Sequence, residues 1–234
     1  MNLRRFVLPR SVWMLLKQSA IVFQKDLHLE FRTRYALNAI AMFAIITLTA
    51  VGFSIGPTRL SAVVQAPLLW IVLYFSAISG LSHVFIREEE QQTADTLRLA
   101  LEPNAIYIGK WFFNVVLLFG LEIIIIPLFF IMMNARAESL EIFFPVVIIG
   151  SLGLVSVASF IAAIISLAST RGALFAVLAF PIALPILIAA IHGTRLAFEG
   201  APFSDCLNDL KSLFSFTVII ITVSLLLFEF VWRK

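Results

Sequence analysis

The chain has 234 residues, 61% hydrophobic and only 13% charged, with a mean hydropathy of +1.03, against roughly 45–50% apolar content in soluble domains. That composition excludes a soluble globular enzyme, and 23 Phe against 3 Tyr suits lipid-facing and helix-packing surfaces, not base stacking, so no nucleic acid partner is expected. The net charge of +3 is small, and its distribution carries more than its sum.

A membrane-crossing helix needs about 20 apolar residues, and six stretches supply them: about 36–55, 66–86, 106–133, 144–168, 173–193 and 213–232. They predict an all-α, polytopic integral membrane protein forming one domain over 1–234. With the N-terminus inside, thirteen of the seventeen Lys and Arg residues face the cytoplasm. Arg59, Arg136, Arg195 and Lys211 are left outside. This bias predicts an N-in, C-in topology. The first apolar stretch lacks a small-residue cleavage site and is expected to be retained as a span.

Residues 8–35 carry Val12, Leu15, Leu16, Ser19, Val22, Phe23, Leu27 and Phe31 at helical spacing, with Lys17, Gln18, Lys25, Asp26, Arg32 and Arg34 elsewhere. The pattern predicts an interfacial helix on the inner leaflet. Ser54-Ile55-Gly56-Pro57 then predicts a sharp outer turn. The second span contains Ser76, Ser79, Gly80 and Ser82, small residues that let another helix approach closely, and His83 near its inner end is expected to be a packing residue.

Between spans two and three lies the one long polar interruption, Phe85 to Lys110. Glu88, Glu89 and Glu90 favour a helix start through the macrodipole. Asp95 follows, with Ala94, Leu97 and Leu101 at helical spacing, until Glu102-Pro103 ends the pattern. A short amphipathic helix over about 88–101 is predicted on the cytoplasmic side. Anionic headgroups repel an acidic face, so this helix is expected to meet a protein partner.

In span three, Glu122 lies roughly 18 Å along the helix from Lys110 at about 1.5 Å per residue. A carboxylate at that depth costs at least ~2.5 kcal/mol unless it faces the bundle. Glu122 is therefore expected inside, serving helix packing or a gate, and Pro127 is expected to kink the same helix. Span four presents Gly150, Gly153, Ala158, Ala162 and Ser166, a close-packing face for a helix of this chain or of a second copy. A tight inner turn at Thr170-Arg171-Gly172 leads to span five, where Pro181 and Pro185 are expected to bend the helix. The mixed segment 193–212 reads as the longest outer loop, with Ser204 as a cap for a short helix. In span six, Glu229 and Arg233 form an i,i+4 pair, and Trp232 reads as an interfacial anchor.

Catalytic chemistry is missing, and the chain is not expected to be an enzyme. Gly109-Lys110 fails as a phosphate-binding loop because Asn104 and Trp111 occupy the positions that need Gly and Ser or Thr. His28, His83 and His192 are scattered and make no metal cluster. No haem-attachment motif occurs, and the single Cys206 allows no internal disulfide. Of the three, His192 at the outer end of span five is the candidate haem ligand.

The segments KDLHLEFR (Lys25–Arg32), SIGP (Ser54–Pro57), FIREEEQQTADTLRLALEP (Phe85–Pro103) running into IYIGKW (Ile106–Trp111), LEIIIIPLF (Leu121–Phe129) and PIALPILIAA (Pro181–Ala190) together resemble the CcmB family, the permease subunits of the ABC complex for cytochrome c maturation, also called haem exporter protein B. Members often have Gly-Thr or Gly-Ser where this chain has Gln92-Thr93. The resemblance implies an ABC-2, type V exporter-like permease of six spans, working as a homodimer in the bacterial inner membrane, with the mitochondrial inner membrane as the lesser alternative. It makes 8–35 an elbow helix and 88–101 a coupling helix, with Glu88, Glu89, Glu90, Thr93, Asp95, Leu97 and Leu101 facing a cytoplasmic CcmA-type ATPase. ATP belongs to that partner, and haem is handled through the complex with a CcmC-type membrane protein and a CcmE-type periplasmic chaperone. Charge reversal at Glu88–Glu90 is expected to abolish that assembly and to spare membrane insertion. The alternatives are an ABC permease for a lipid-linked glycan or drug, and a non-transporting membrane scaffold.

Overall fold

The computed structural model of the protein describes residues 9–55, 60–81, 83–90, 93–165 and 171–232. They form helices α1 (Pro9–Thr33), α2 (Tyr35–Ile55), α3 (Ala62–Leu81), α4 (His83–Glu90), α5 (Ala94–Ala100), α6 (Pro103–Met132), α7 (Leu140–Ile165), α8 (Arg171–Glu199) and α9 (Phe203–Trp232). Six of these are long and apolar enough to cross a membrane: α2, α3, α6, α7, α8 and α9. The expected turns at Gly56-Pro57 and Thr170, the small residue Ser166 and the Arg233 partner of Glu229 lie outside the described residues.

Helix α7 is the central post. In its most apolar window 72% of the residues are buried, against 24% for α2 and 22% for α9, and it packs on α3, α6, α8 and α9. Its small residues explain why. A Cβ at Gly150 would lie 2.3 Å from the Trp70 ring, and one at Gly153 would lie 2.9 Å from Ile186 and Thr217. The close-packing face therefore meets helices of this chain, and Trp70, anchored by its indole N–H to Thr194 Oγ1 at 2.8 Å, fills the space beside Gly150.

Polar side chains hold α6 to α7 inside the apolar region. Trp111 Nε1 donates to Ser156 Oγ at 3.0 Å, Asn114 Nδ2 donates to Ser159 Oγ at 2.9 Å, and Ser151 Oγ donates to Glu122 Oε1. Glu122 is buried, as an intramembrane carboxylate must be when lipid offers no partner. The Ser151 contact places it between α6 and α7. Pro127, Pro181 and Pro185 all sit inside unbroken helices, where each removes one backbone hydrogen bond.

The outer connections are shorter than their polarity suggests. The expected loop over 193–212 is instead the end of α8, three residues, and the start of α9. Beyond the hydrocarbon a helix meets water, so polar side chains there do not end it. Arg195 Nε donates to Glu199 Oε1 at 2.8 Å along α8, and Ser204, inside α9, donates its hydroxyl to Asp205 Oδ1 at 3.1 Å and caps nothing. The real stop is Gly200, with φ of 72°, where Ala201 N–H reaches Leu196 O at 3.0 Å. Asn134, φ 47°, ends α6 the same way, with Ala135 N–H reaching Phe130 O at 3.1 Å. Both are Schellman closures with a left-handed residue after the helix. Ser139 N–H then donates to Ala197 O at 3.0 Å, tying the two outer connections together.

Candidate functional site

The amphipathic helix expected over 88–101 is two helices. The α4 helix ends at Glu90, α5 begins at Ala94, and the joint includes Thr93, whose hydroxyl donates to Glu88 Oε2 at 2.5 Å and whose N–H donates to Glu88 O at 3.0 Å. Thr93 thus fastens the start of α5 to the last turn of α4.

Glu88 is not on an outward acidic face. It is buried, and it accepts hydrogen bonds from Lys110 Nζ at 3.0 Å and from Lys25 Nζ. The Lys110 ammonium, 0% exposed, also donates to Asp26 Oδ2 and to the Val84 carbonyl, each at 3.0 Å. It lies 5.5 Å from the centroid of the Phe85 ring. An ammonium has three hydrogens, and here three oxygens take them. Asp26 Oδ1 faces Lys25 Nζ at 3.2 Å and Arg87 Nη2 at 4.0 Å. This cluster bolts together α1 through Lys25 and Asp26, α4 through Arg87 and Glu88, and α6 through Lys110.

The bolt explains the register of α1. Its apolar stripe does not lie wholly on lipid. Ser19 and Val22 join Asp26 and Glu30 on a buried face that packs against α6, whereas Val12, Leu16 and Phe31 point outward. Contact is tightest at Gly109, where a Cβ would stand 2.6 Å from the Ser19 carbonyl oxygen. Glu30 turns the other way: Leu37 N–H donates to its Oε1 at 3.0 Å, satisfying one of the orphan donors at the start of α2. Arg34, at φ 52°, makes the bend between α1 and α2.

Electrostatics sets the acid sensitivity of this bolt. Burial alone would push the Glu88 carboxyl up, but attraction to Lys110 and the hydrogen bonds from Lys25 and Thr93 outweigh it and hold the pKa at about 2, from an ordinary 4.5. The folded value is the lower one, so the stabilisation is complete above about pH 4.5 and is lost as pH falls through about 2. Glu88→Gln in detergent is expected to melt well below the unaltered protein at pH 7, and the gap is expected to narrow as pH is lowered from 4.5 toward 3. A gap unchanged over that interval contradicts the assignment.

The other residues expected in the site divide sharply. Glu90 is exposed, and the Glu89 side chain lies outside the described residues. On α5, Asp95 has an 85% exposed side chain, Leu97 and Leu101 pack half-buried against the core, and Leu99 is 91% exposed. An open groove of about 690 Å³ runs beside α5, lined among others by Gln18, Asp95, Leu99 and Glu102. His192 stands at the opposite end of the bundle, half-exposed, with Nδ1 2.7 Å from Asp209 Oδ2. Trp232 is no interfacial anchor: it is buried beneath the Arg98 guanidinium, 4.8 Å away. That contact puts the end of α9 on the same side as α5. Gln18 Oε1, accepting from Glu102 N–H at 3.4 Å, puts α1 there too.

Asp26 and Lys110 were the residues missed. Their signals were present: Ser19, Val22, Asp26 and Glu30 recur on one helical face, and Lys110 stands two turns inside a helix that starts at Pro103. An ionisable side chain among apolar neighbours at that depth demands a partner.

Six helices long and apolar enough to cross a membrane, with a braced pair of short helices at one end of the bundle, define a multi-pass membrane protein. The family model described as CcmB protein matches residues 17–230. The chain belongs to the CcmB family, transporter permease subunits for haem export in cytochrome c maturation and members of the Ccm ABC complex. No curated protein matches it.

Proposed function

We propose that this chain is the membrane subunit through which a CcmA-type ATPase drives haem handling on the outer side of the bacterial inner membrane. Two copies form the permease, and α5 is the element each ATPase grips. The observation that carries this reading is the two-sidedness of α5. One face is fastened to the body through Ala94 and Leu97, while Asp95 and Leu99 stand in solvent beside an open groove. An apolar side chain 91% exposed outside the spans is a natural anchor for a partner's pocket. Nucleotide-driven closure of two ATPases moves α5, and the bolt at Lys110 passes the motion to α1 and α6 as rigid bodies. Haem is the cargo, received with a CcmC-type membrane protein and leaving on a CcmE-type chaperone.

Leu99→Glu tests the reading, because the side chain touches so little of its own subunit that folding is spared. The variant is expected to insert normally, to lose about tenfold or more of its co-purifying ATPase, the cost of one anchor residue, and to stop production of c-type cytochromes. If ATPase capture and hydrolysis rate both survive, the proposal fails. Normal c-type cytochrome levels in cells lacking this chain would point to a different cargo.

A further inference from the structure

The bolt at Lys110 gives α5 a path into α1, α4 and α6. A second path leads elsewhere. Arg98, on the face of α5 turned to the bundle, has its Nη1 donating to Asp95 Oδ1 at 2.7 Å, which steadies the guanidinium 4.8 Å above the Trp232 ring. Trp232 is 1% exposed and stacks on Phe228 at 5.3 Å with 21° between the planes. Phe228 in turn meets Phe85 of α4 at 5.7 Å and Tyr107 of α6 at 5.1 Å. Arg98 thus seats α5 directly on the inner end of α9, and the rings beyond Trp232 pack that end of α9 against α4 and α6.

The covalent route out of α5 is looser. On its C-terminal side Leu101 (φ −135°, ψ 154°) and Glu102 (φ −68°, ψ 140°) are extended, so α6 does not continue the axis of α5. Extended joints of this kind let a short helix rotate, whereas stacked rings resist compression because protein interiors are close-packed. The helix receiving the push, α9, has 30 residues and is about 45 Å long at 1.5 Å per residue. It reaches the outer side, where three residues join it to α8, and Asp209 pairs with His192.

We propose that Trp232 is a positioning residue that couples α5 to α9, making the α8–α9 hairpin the output of the permease. This rests on α5 being the helix that the ATPase moves. Trp232 borders the groove beside α5 but is almost wholly buried, so the ring is placed to transmit displacement and not to anchor the ATPase.

The test uses the assembled complex with its ATPase. Trp232→Leu keeps apolar volume and removes the ring face, Trp232→Phe keeps a smaller face, and Arg98→Gln leaves the stack intact but removes the charge above it. Spin labels at Leu207→Cys on α9 and Leu140→Cys on α7, both solvent- or lipid-exposed, report the outer distance with and without ATP. With Trp232 present, ATP is expected to shift that distance. In Trp232→Leu the shift is expected to vanish and the c-type cytochrome yield to fall at least tenfold, while ATPase capture and ATP turnover stay within twofold. Trp232→Phe and Arg98→Gln are expected to fall between. An unchanged shift and yield in Trp232→Leu overturns the inference, as does loss of the ATPase from that variant, which would make Trp232 a docking residue. Should Trp232→Leu not fold, a full shift in both milder variants overturns it equally. Failure of the unsubstituted chain to capture any ATPase overturns the reading of α5 instead, whatever Trp232 does.

Discussion

Lys110→Met is expected to destabilise the protein by about 3–5 kcal/mol, the cost of removing one partner from a buried ion cluster. Methionine matches lysine in length but leaves Asp26 Oδ2, Glu88 Oε1 and the Val84 carbonyl without the donor that each has at 3.0 Å. Lys25 and Arg87 offset part of the charge, since both already face Asp26. They approach from the solvent side and cannot reach the vacated centre without drawing water after them. The triple variant Asp26→Asn, Glu88→Gln, Lys110→Met removes all three charges together and is expected to recover more than half of the loss, because a neutral cluster has no stranded carboxylate. Thermal unfolding of the three proteins in one detergent decides it. If Lys110→Met melts within a degree or two of the unaltered protein, the cluster does not hold α1, α4 and α6 together.

The second large effect is steric. Gly109→Ala is expected to cost about 2–3 kcal/mol, within the range for overpacking a filled interior. Its Cβ would stand 2.6 Å from the Ser19 carbonyl oxygen and 2.7 Å from Val22 Cβ, and neither can swing aside as the end of a flexible side chain would. Helix α1 must move off α6, and because Lys110 is the next residue, the move also stretches the Asp26–Lys110 contact. Gly120 supplies the control on the same helix. A Cβ there meets nothing within 4 Å, so Gly120→Ala is expected to be neutral or to add about 0.5–1 kcal/mol through helix propensity. Equal melting temperatures for the two alanine variants would show that α1 is not seated on α6 as described.

These effects could not have been ranked from composition. Gly109 and Gly120 are both glycines in one apolar run, and only the path of α1 separates them. The charge reversal expected at Glu88–Glu90 fares likewise. At Glu88 it is expected to disrupt the buried ion cluster before it can test a partner, whereas Leu99, one leucine among many in the sequence, stands in solvent. The α4–α5 break was similarly hidden, since Glu88, Leu97 and Leu101 fall at spacings compatible with one helix. Thr93 closing on Glu88 is a matter of two side chains meeting. The 193–212 segment misled for the opposite reason: its charges mark where the bilayer ends, and a helix does not stop there.

By itself the sequence determined the helical class, the six spans, the interior place of Glu122 and the family, because each depends on how residues partition between lipid and water or on their order along the chain. Which buried charges find each other, that the small face of α7 meets its own neighbours, and that Arg98 lands on Trp232 were decided only in three dimensions. Asp26 and Lys110 stand 84 positions apart and Glu88 and Lys110 stand 22 apart, and a side chain's partner there depends on the rotation of two helices about their axes, which no local pattern encodes.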